Sequence, residues 1–166
     1  MEFIYNNIEY IINKYDSISE LTSRGDLLRL PLSAWKELLL LKGGYVDKTI
    51  LLTVLDRKID YYDSSEAVNS FIFNGTPLWL DKATRVGLVN LVNSSSDNVT
   101  IALGNQIITI PVPVAKQFLA ELEVYAGKCY VTTARHKIAI NDLKTVDELI
   151  NYDYTTGYPE KLTINL

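Results

Sequence analysis

One cysteine and one histidine are the side chains in this sequence best suited to nucleophilic or metal chemistry. Cys129 precedes His136 by seven residues, so on a helix the two share a face but lie about 10 Å apart at ~1.5 Å rise per residue. That separation is too long for a thiolate paired with an imidazole base. A nitrogen and sulfur metal site needs several such ligands at defined spacing. We therefore expect Cys129 to fill a core and His136 to be partly exposed on a helix, and we predict neither a metal nor a cofactor.

The carboxylates form pairs, but not in a pattern specific to catalysis. Asp142 with Asp147, or Glu121 with Glu123, is typical of a solvated helix face, although a glycosidase would also use two carboxylates. No glycine-rich loop leads into Lys-Ser or Lys-Thr, as a phosphate-binding loop would. We therefore predict no catalytic residue and a protein that is not an enzyme. A cell-wall hydrolase acting through His136 is the enzymatic alternative.

Composition narrows the class of protein further. The chain has 166 residues, 48% of them apolar, with a formal net charge of −4, which is typical of a soluble globular domain. A single cysteine excludes an intrachain disulfide scaffold, and mild acidity argues against nonspecific nucleic-acid binding. The most apolar run, Leu38 to Leu41, is far shorter than the ~20 residues of a bilayer span, and the first residues lack a basic leader. We expect no nucleic-acid or membrane partner, and action in a cytosol or in a particle assembled there.

Residues 1–66 consist of short elements separated by polar turns. Asn6-Asn7 lies between two apolar runs and suits a two-residue turn, so we predict a hairpin over residues 2–14. Ser33 stands before an apolar run that Gly43-Gly44 follows, which predicts a short helix. Thr49 to Tyr62 is rich in β-branched and aromatic residues and predicts one or two strands. Residues 1–66 are therefore predicted to form a β-rich docking module.

Turn residues divide the rest of the chain into hairpins. Asn74-Gly75 and Gly104-Asn105 each separate two β-type runs, which predicts two further hairpins. Pro77 cannot donate a ladder hydrogen bond, so its strand should lie at a sheet edge. Residues 162–166 alternate as an edge strand would.

Three helices are predicted between and after these hairpins. Asp81 can cap a helix through about Val92, the longest helix should run from about Val114 to residue 138, and Thr145 with Glu148 forms a capping box. The buried face of the first helix is predicted to carry Val86, Leu88, Val89, Leu91 and Val92. The fold class is therefore α+β: small antiparallel sheets and hairpins packed with one long helix and two or three shorter helices. Residues 67–166 should form one domain.

Tyrosine is the one over-represented residue type, with 11 of the 166 residues. Its large contact area, polar tip and low rotamer entropy explain why it concentrates in protein interfaces. A single tyrosine is more often a half-buried core residue. As a group, the tyrosines favour binding or assembly over catalysis.

Two motifs carry a resemblance to a known family. The segment 69–88, which includes Trp79-Leu80-Asp81-Lys82-Ala83-Thr84-Arg85, and the closing Tyr152-Asp153-Tyr154-Thr155-Thr156-Gly157-Tyr158-Pro159 resemble the DUF4376 domain family of tailed bacteriophages and prophages. The likeness covers residues 69–166 and is strongest to members associated with Bacteroidales hosts. The Ile, Asn, Lys and Tyr content also resembles that of AT-rich, crAss-like phages.

The resemblance implies a location more than a mechanism. It points to a virion protein assembled in the bacterial cytoplasm: a non-enzymatic structural adaptor that docks tail, neck or fibre components. Its implied partners are other phage structural proteins and further copies of itself in a symmetric assembly. The alternative is a tail-fibre assembly chaperone that is not retained in the virion.

The same motifs supply the candidate interface residues. Arg85 is expected to reach Asp153, or alternatively Asp81 four residues earlier in the helix. Trp79 suits a core position better than a partner contact, and Gly157 should take a positive φ in a turn that directs the last strand back to the sheet. The candidate interface or motif residues are Trp79, Arg85, Tyr152, Asp153, Tyr154 and Tyr158.

Overall fold

The computed structural model describes residues 1–166 and confirms the α+β class. The chain divides into two compact units. Unit 1 contains Met1–Tyr62 and Thr133–Thr156, and unit 2 contains Asp63–Thr132 and Gly157–Leu166. The chain first passes from unit 1 to unit 2 after Tyr62, close to the boundary predicted at residue 66. However, residues 133–156 belong with the N-terminal segment. They do so because Ile140 and Leu149 are buried in the hydrophobic core of unit 1.

Three pairs of strands are separated by helices along the chain, and a single strand ends it. The strands are β1 Glu2–Tyr5, β2 Ile8–Ile11, β3 Phe71–Phe73, β4 Thr76–Leu78, β5 Asn98–Leu103, β6 Gln106–Pro111 and β7 Thr163–Ile164. The helices are α1 Ile18–Thr22, α2 Gly25–Leu28, α3 Leu32–Gly43, α4 Lys48–Asp63, α5 Lys82–Asn93, α6 Val112–Ala139 and α7 Val146–Asn151, with a 3-10 turn at Ile140–Asp142.

The first hairpin forms where the asparagine pair predicted it. Strands β1 and β2 pair antiparallel, and Asn6 and Asn7 take φ values of 49° and 61°, which asparagine tolerates better than most residues. Phe3 faces the core and is buried. The hairpin therefore joins unit 1 through one of its two faces.

The prediction of strands at Thr49 to Tyr62, and with it the β-rich N-terminal module, is wrong. This segment is helix α4, and β1 and β2 are the only strands among residues 1–66. The buried positions of α4 recur at helical spacing: Leu51, Val54, Leu55, Lys58 and Ile59. Periodicity of this kind outweighs the weak strand preference of β-branched residues, because it decides which side chains can be buried together.

Helix α3 ends as predicted but begins two residues earlier. Gly44 closes it in the left-handed region with φ of 75°. Its N-cap position is occupied by Pro31 instead of the predicted Ser33, because proline already has the φ that a helix start needs and no N–H to satisfy. The indole of Trp35 is fully buried and donates to Leu27 O at 2.9 Å, which fixes α3 in the core of unit 1.

Unit 2 contains both further hairpins that the turn residues predicted. Strands β3 and β4 pair antiparallel, with Asn74 and Gly75 at positive φ between them, and β5 pairs antiparallel with β6. Strand β4, which contains Pro77, lies at the edge of the sheet β4-β3-β7. Strand β7 forms the other edge and runs parallel to β3. The edge positions predicted for Pro77 and for the C-terminal strand are confirmed.

Gly104 is needed for close approach as well as for its turn. It takes φ of 59° between β5 and β6, and a Cβ there would lie 2.7 Å from Leu78 Cδ2. A larger residue would force the Leu78 side chain to move as well as straining the turn, so glycine suits this position on both counts.

Helix α5 begins where predicted but buries a different face. The Asp81 side chain accepts from Thr84 N at 2.7 Å, which confirms the cap. However, the predicted core residues Val86, Val89 and Leu91 are 51%, 42% and 45% exposed. Val92 is buried and Leu88 half-buried, as predicted, and the other buried residue of the helix is Arg85. The valine and leucine pattern predicted the wrong rotation because a polar anchor, described below, determines which face turns inward.

The two remaining helices match their predictions closely. Helix α6 has 28 residues and ends at Ala139, one residue beyond the predicted end. In the capping box of α7, Thr145 Oγ1 accepts from Glu148 N while the Glu148 carboxylate accepts from Thr145 N. None of the helices combines the length and hydropathy that crossing a bilayer would require.

Lys58 is an unusual core residue of unit 1. It is 5% exposed, and its ammonium donates to Leu28 O and Leu30 O at 2.5 Å each. Burial disfavours the charged form and lowers the pKa of Lys58 to about 8. The carbonyls of Leu28 and Leu30 therefore stabilise the charged form of a lysine that burial disfavours.

We expect the stability of the protein to rise with pH through the titration of Lys58. Between pH 8 and 10.5 the unfolded chain binds a proton at this lysine that the folded chain has released. The free energy of unfolding should therefore increase by up to about 1.4 kcal/mol per pH unit in that window. Urea unfolding at several pH values measures this contribution as a difference: the slope of the unfolding free energy against pH should be smaller by that amount in Lys58→Met than in the wild type. Buried acids with a raised pKa, such as Cys129 and Tyr154, add a slope of opposite sign that both proteins share. The exposed Lys82 is the control: Lys82→Met should keep the wild-type slope, and equal slopes in all three proteins would contradict the assignment.

Candidate functional site

The guanidinium of Arg85 organises the most concentrated group of polar side chains in unit 2. Arg85 is 9% exposed, and its Nη1 donates to Leu80 O at 2.7 Å. Its Nε donates to Glu123 Oε2 at 2.7 Å, which ties α5 to α6. The Trp79 ring lies under the guanidinium, with 5.7 Å between Arg85 Cζ and the ring centroid, at the upper end of cation–π distances. Backbone, carboxylate and aromatic ring thus fix this side chain from three directions.

A cleft of about 470 Å³ opens beside this group. Its walls combine charged, aromatic and small residues: Asp63, Asn69, Trp79, Asp81, Lys82, Arg85, Glu123, Ala126, Gly127, Cys129 and Tyr130. Three carboxylates and two cations line it, so no single charge dominates. The arrangement suits polar contacts with another surface better than the capture of one small ion.

The partner predicted for Arg85 is corrected by this geometry. Asp153 belongs to unit 1, where its carboxylate accepts from the backbone N–H and the hydroxyl of Thr155 at 2.9 and 2.6 Å. Those bonds lower the pKa of Asp153. Asp81 is engaged by the N–H of Thr84, the main cause of its lowered pKa, and Arg85 adds only a small electrostatic contribution. Arg85 forms its ion pair with Glu123, which lies 38 residues later in the sequence. No local sequence pattern connects the two residues.

Trp79 is half-buried and lines the cleft, so it is not the fully buried core residue that was expected. Its ring supports Arg85 on one side. A half-buried tryptophan offers both apolar area and an indole donor at a surface. It therefore remains a candidate contact residue of unit 2.

The tyrosines of the closing motif pack mainly within unit 1. The Tyr152 hydroxyl lies 2.8 Å from His136 Nδ1, and the two rings meet edge to face at 5.7 Å. Tyr154 packs edge to face on Tyr62, also at 5.7 Å, and burial raises its pKa. Both tyrosines lie against the hydrophobic core of unit 1. Much of their surface is therefore already used inside the protein.

The end of the motif lies in unit 2. Gly157 takes the predicted positive φ of 78°, and its carbonyl accepts from Thr132 Oγ1 at 3.3 Å. Tyr158 follows and is half-buried. Lys161 then donates to Glu66 O, Ala67 O and Ser70 Oγ at 2.8 to 2.9 Å. These bonds hold the closing segment in place as it leads into β7.

Cys129 and His136 occupy different units and have different surroundings. Cys129 is 3% exposed, as expected of a core residue, and burial raises the pKa of its thiol. His136 is half-buried on α6. Its Nε2 lies 2.8 Å from Thr156 O, so both ring nitrogens are within hydrogen-bonding distance of a partner. The histidine therefore acts as a bridge between α6 and the motif that follows α7.

The sequence reasoning missed several exposed apolar side chains. On the outward face of the first hairpin, Ile4 and Ile11 are 64% and 74% exposed, and Ile8 near the turn is 56% exposed. Tyr15, Tyr45 and Tyr130 are the most exposed tyrosines, at 87%, 67% and 75%. Strict alternation in β1 and β2 could have identified Ile4 and Ile11, because Phe3 and Tyr10 pair on the opposite face. Ile8 pairs with Tyr5 on the face of Phe3 and is exposed because it lies next to the turn.

Comparison with known proteins supplies no further guide. The chain matches no family model, no curated protein and no solved structure. The His, Cys, Asp and Glu side chains form no group of three or more that could hold a metal ion. The candidate site is therefore defined by its geometry alone: the Arg85 cleft of unit 2 and the exposed apolar faces.

We expect Arg85→Lys to destabilise unit 2. A lysine keeps the charge but loses the planar fork that reaches Leu80 O and Glu123 together, so the free energy of unfolding should fall by about 2 kcal/mol. Urea denaturation measures the loss. Arg57→Lys, at an exposed position of α4, is the matched control and should change stability by less than about 0.5 kcal/mol. Equal, small effects of both substitutions would contradict the anchoring role of Arg85.

We also expect neutral His136 to carry its proton on Nε2. The carbonyl of Thr156 beside Nε2 can only accept, so Nε2 must donate, and Nδ1 accepts from the Tyr152 hydroxyl. His136 is the only histidine, so its ring signals in a nitrogen-15 NMR spectrum are unambiguous. Tyr152→Phe should leave Nε2 protonated, because the Thr156 carbonyl remains. A predominant Nδ1–H form in the wild type would contradict these bonds.

Proposed function

We propose that the chain is a non-enzymatic structural adaptor of a tailed bacteriophage particle, which docks tail, neck or fibre components through protein–protein contacts. The observation that carries this proposal is the outward face of the β1–β2 hairpin. Ile4 and Ile11 lie diagonally across it and are 64% and 74% exposed. Exposed apolar side chains grouped on one face are typical of a surface that another protein covers.

The hairpin forms a two-stranded sheet of its own, made of β1 and β2 alone. On the outer edge of β2 the carbonyl of Ile11 already accepts from Arg24 Nη1 at 2.7 Å, so the outer edge of β1 is the one we propose for a further strand. Natural proteins usually protect such edges, and strand addition is a common way to bind an extended segment. Glu2 lies directly opposite Ile11 and Glu9 directly opposite Ile4 on the same face, so apolar and acidic side chains alternate across this surface.

The histidine and the cysteine that nucleophilic hydrolysis would use occupy structural positions. His136 bridges Tyr152 and Thr156, and the Cys129 thiol is buried with a raised pKa. Arg85 is bonded to Glu123 and Leu80 O. These engagements favour a role in which side chains hold surfaces in place.

The setting of the proposal comes from the resemblance of residues 69–166 to the DUF4376 family. It supplies the phage particle as the location and other structural proteins as the partners. The exposed faces supply the physical basis, because a stable interface buries about 1,200 Å² or more and depends on a few well-packed anchors.

Mass spectrometry of purified particles of the phage that encodes the chain tests the proposal. We expect the chain to be present at a fixed ratio to the other structural proteins. The double variant Ile4→Lys and Ile11→Lys should reduce its incorporation at least about tenfold, because two charges cannot be buried in an apolar contact without a partner. Ile107→Lys is the matched control. Ile107 is 78% exposed on the β5–β6 hairpin, on the face that it shares with Ala102 and Thr109. The chain with this substitution should be incorporated normally.

Absence of the chain from particles would contradict the proposal. If the chain is instead found with fibre subunits in lysates only, it acts as an assembly chaperone. Normal incorporation of the double isoleucine variant would show that the hairpin face is not the docking surface.

A further inference from the structure

Helix α6 has a second apolar face that its own unit does not cover. Its buried positions in unit 2 include Leu122, Ala126 and Cys129. At 100° per residue, the opposite side carries an exposed series with spacings of four, three and four residues. This outer face consists of Ala120, Val124, Gly127 and Val131. Val124 and Val131 are 58% and 45% exposed.

The spacing of the outer face matches the seam by which one helix packs along another. Apolar residues alternating at three and four positions form the a and d sites of a coiled coil. A helix needs only one apolar face to join its own core. The outer face is therefore surplus to the packing of unit 2.

Gly127 adds an independent sign of close approach from outside. It lies in the interior of the 28-residue helix, where glycine is less favourable than alanine. Gly127 also lines the Arg85 cleft, but neither packing nor backbone conformation requires a glycine here, because a Cβ at Gly127 would meet no atom within 4 Å and its φ is not positive. A glycine in the seam would let the side chain of a second helix approach the backbone closely.

We infer that the outer face of α6 pairs antiparallel with the same face of a second copy of this chain. With the twofold axis between Val124 and Gly127, each layer of the seam joins a larger residue to a smaller one. Val124 packs against Gly127 of the second copy, and Val131 packs against Ala120 of the second copy. Each layer has the size complementarity that close helix packing needs.

The charges beside the seam support the same orientation. Glu121 and Lys128 flank the outer face on one side, and the antiparallel register places Glu121 of each copy beside Lys128 of the other. A parallel pair would instead need Glu123 as the partner of Lys128, but Arg85 already holds the Glu123 carboxylate at 2.7 Å. Antiparallel helices also align their macrodipoles favourably.

This inference rests on the proposed docking function and specifies one of its partners. It uses a different surface from the hairpin face, so the two can fail separately. A chain that enters particles but stays monomeric in solution would overturn the pairing and leave the adaptor role intact. A chain that dimerises through α6 but is absent from particles would overturn the adaptor role and support the pairing.

Sedimentation equilibrium of the purified full chain, with substitutions at Gly127, measures the pairing. We expect the dimer to have a dissociation constant below about 100 μM. Gly127→Leu should weaken dimerisation at least about a hundredfold, because the leucine occupies the space of Val124 from the second copy. Gly87→Leu is the matched control: Gly87 is also an exposed glycine inside a helix with no atom within 4 Å of a Cβ, and the dimer should persist. Circular dichroism checks that both variants fold.

A charge exchange tests the register. Glu121→Lys and Lys128→Glu should each weaken the dimer about tenfold, since each replaces two attractive contacts with two repulsive ones. The double variant, or an equimolar mixture of the two single variants, should recover wild-type affinity. A monomeric wild type, an undiminished dimer in Gly127→Leu, or single charge variants that neither weaken nor complement one another would each overturn the inference.

Discussion

The buried guanidinium of Arg85 is the constraint on which unit 2 depends. A charge that is 9% exposed must have its donors satisfied, and Leu80 O and Glu123 satisfy them. Meeting both partners fixes the rotation of α5 about its axis. Arg85, Leu88 and Val92 then turn inward, while Val86 and Val89 face outward. The exposed valines of α5 follow from a polar anchor that overrides the apolar pattern.

The same ion pair shapes the surface of α6. Because Glu123 is engaged by Arg85, the inferred pairing uses Glu121 and Lys128. Glu121 accepts from the neutral Gln117 amide at 2.9 Å, which leaves its charge for a partner. The anchor also holds Trp79 at the cleft. Internal packing and the surface offered to other molecules are therefore linked through one side chain.

Unit 1 uses polar groups in a similar way, as fixed connections within a mainly apolar core. Lys58 joins α4 to the carbonyls of Leu28 and Leu30, and His136 joins α6 to the motif that follows α7. Lys137 on α6 pairs with Asp60 on α4 at 2.6 Å. These contacts explain why residues 133–156 belong to the unit formed by the N-terminal segment.

Local sequence alone determined the turns, caps and edges. Asn6-Asn7, Asn74-Gly75, the Asp81 cap and the Thr145–Glu148 capping box were predictable because each acts within about four residues. Helix α4 was predictable from its periodicity, although its β-branched content indicated strands. Only the tertiary structure decided the partner of Arg85, the inward face of α5 and the unit to which residues 133–156 belong. Those outcomes depend on satisfying buried charges and filling a core with residues distant in sequence, and no local pattern encodes such a choice.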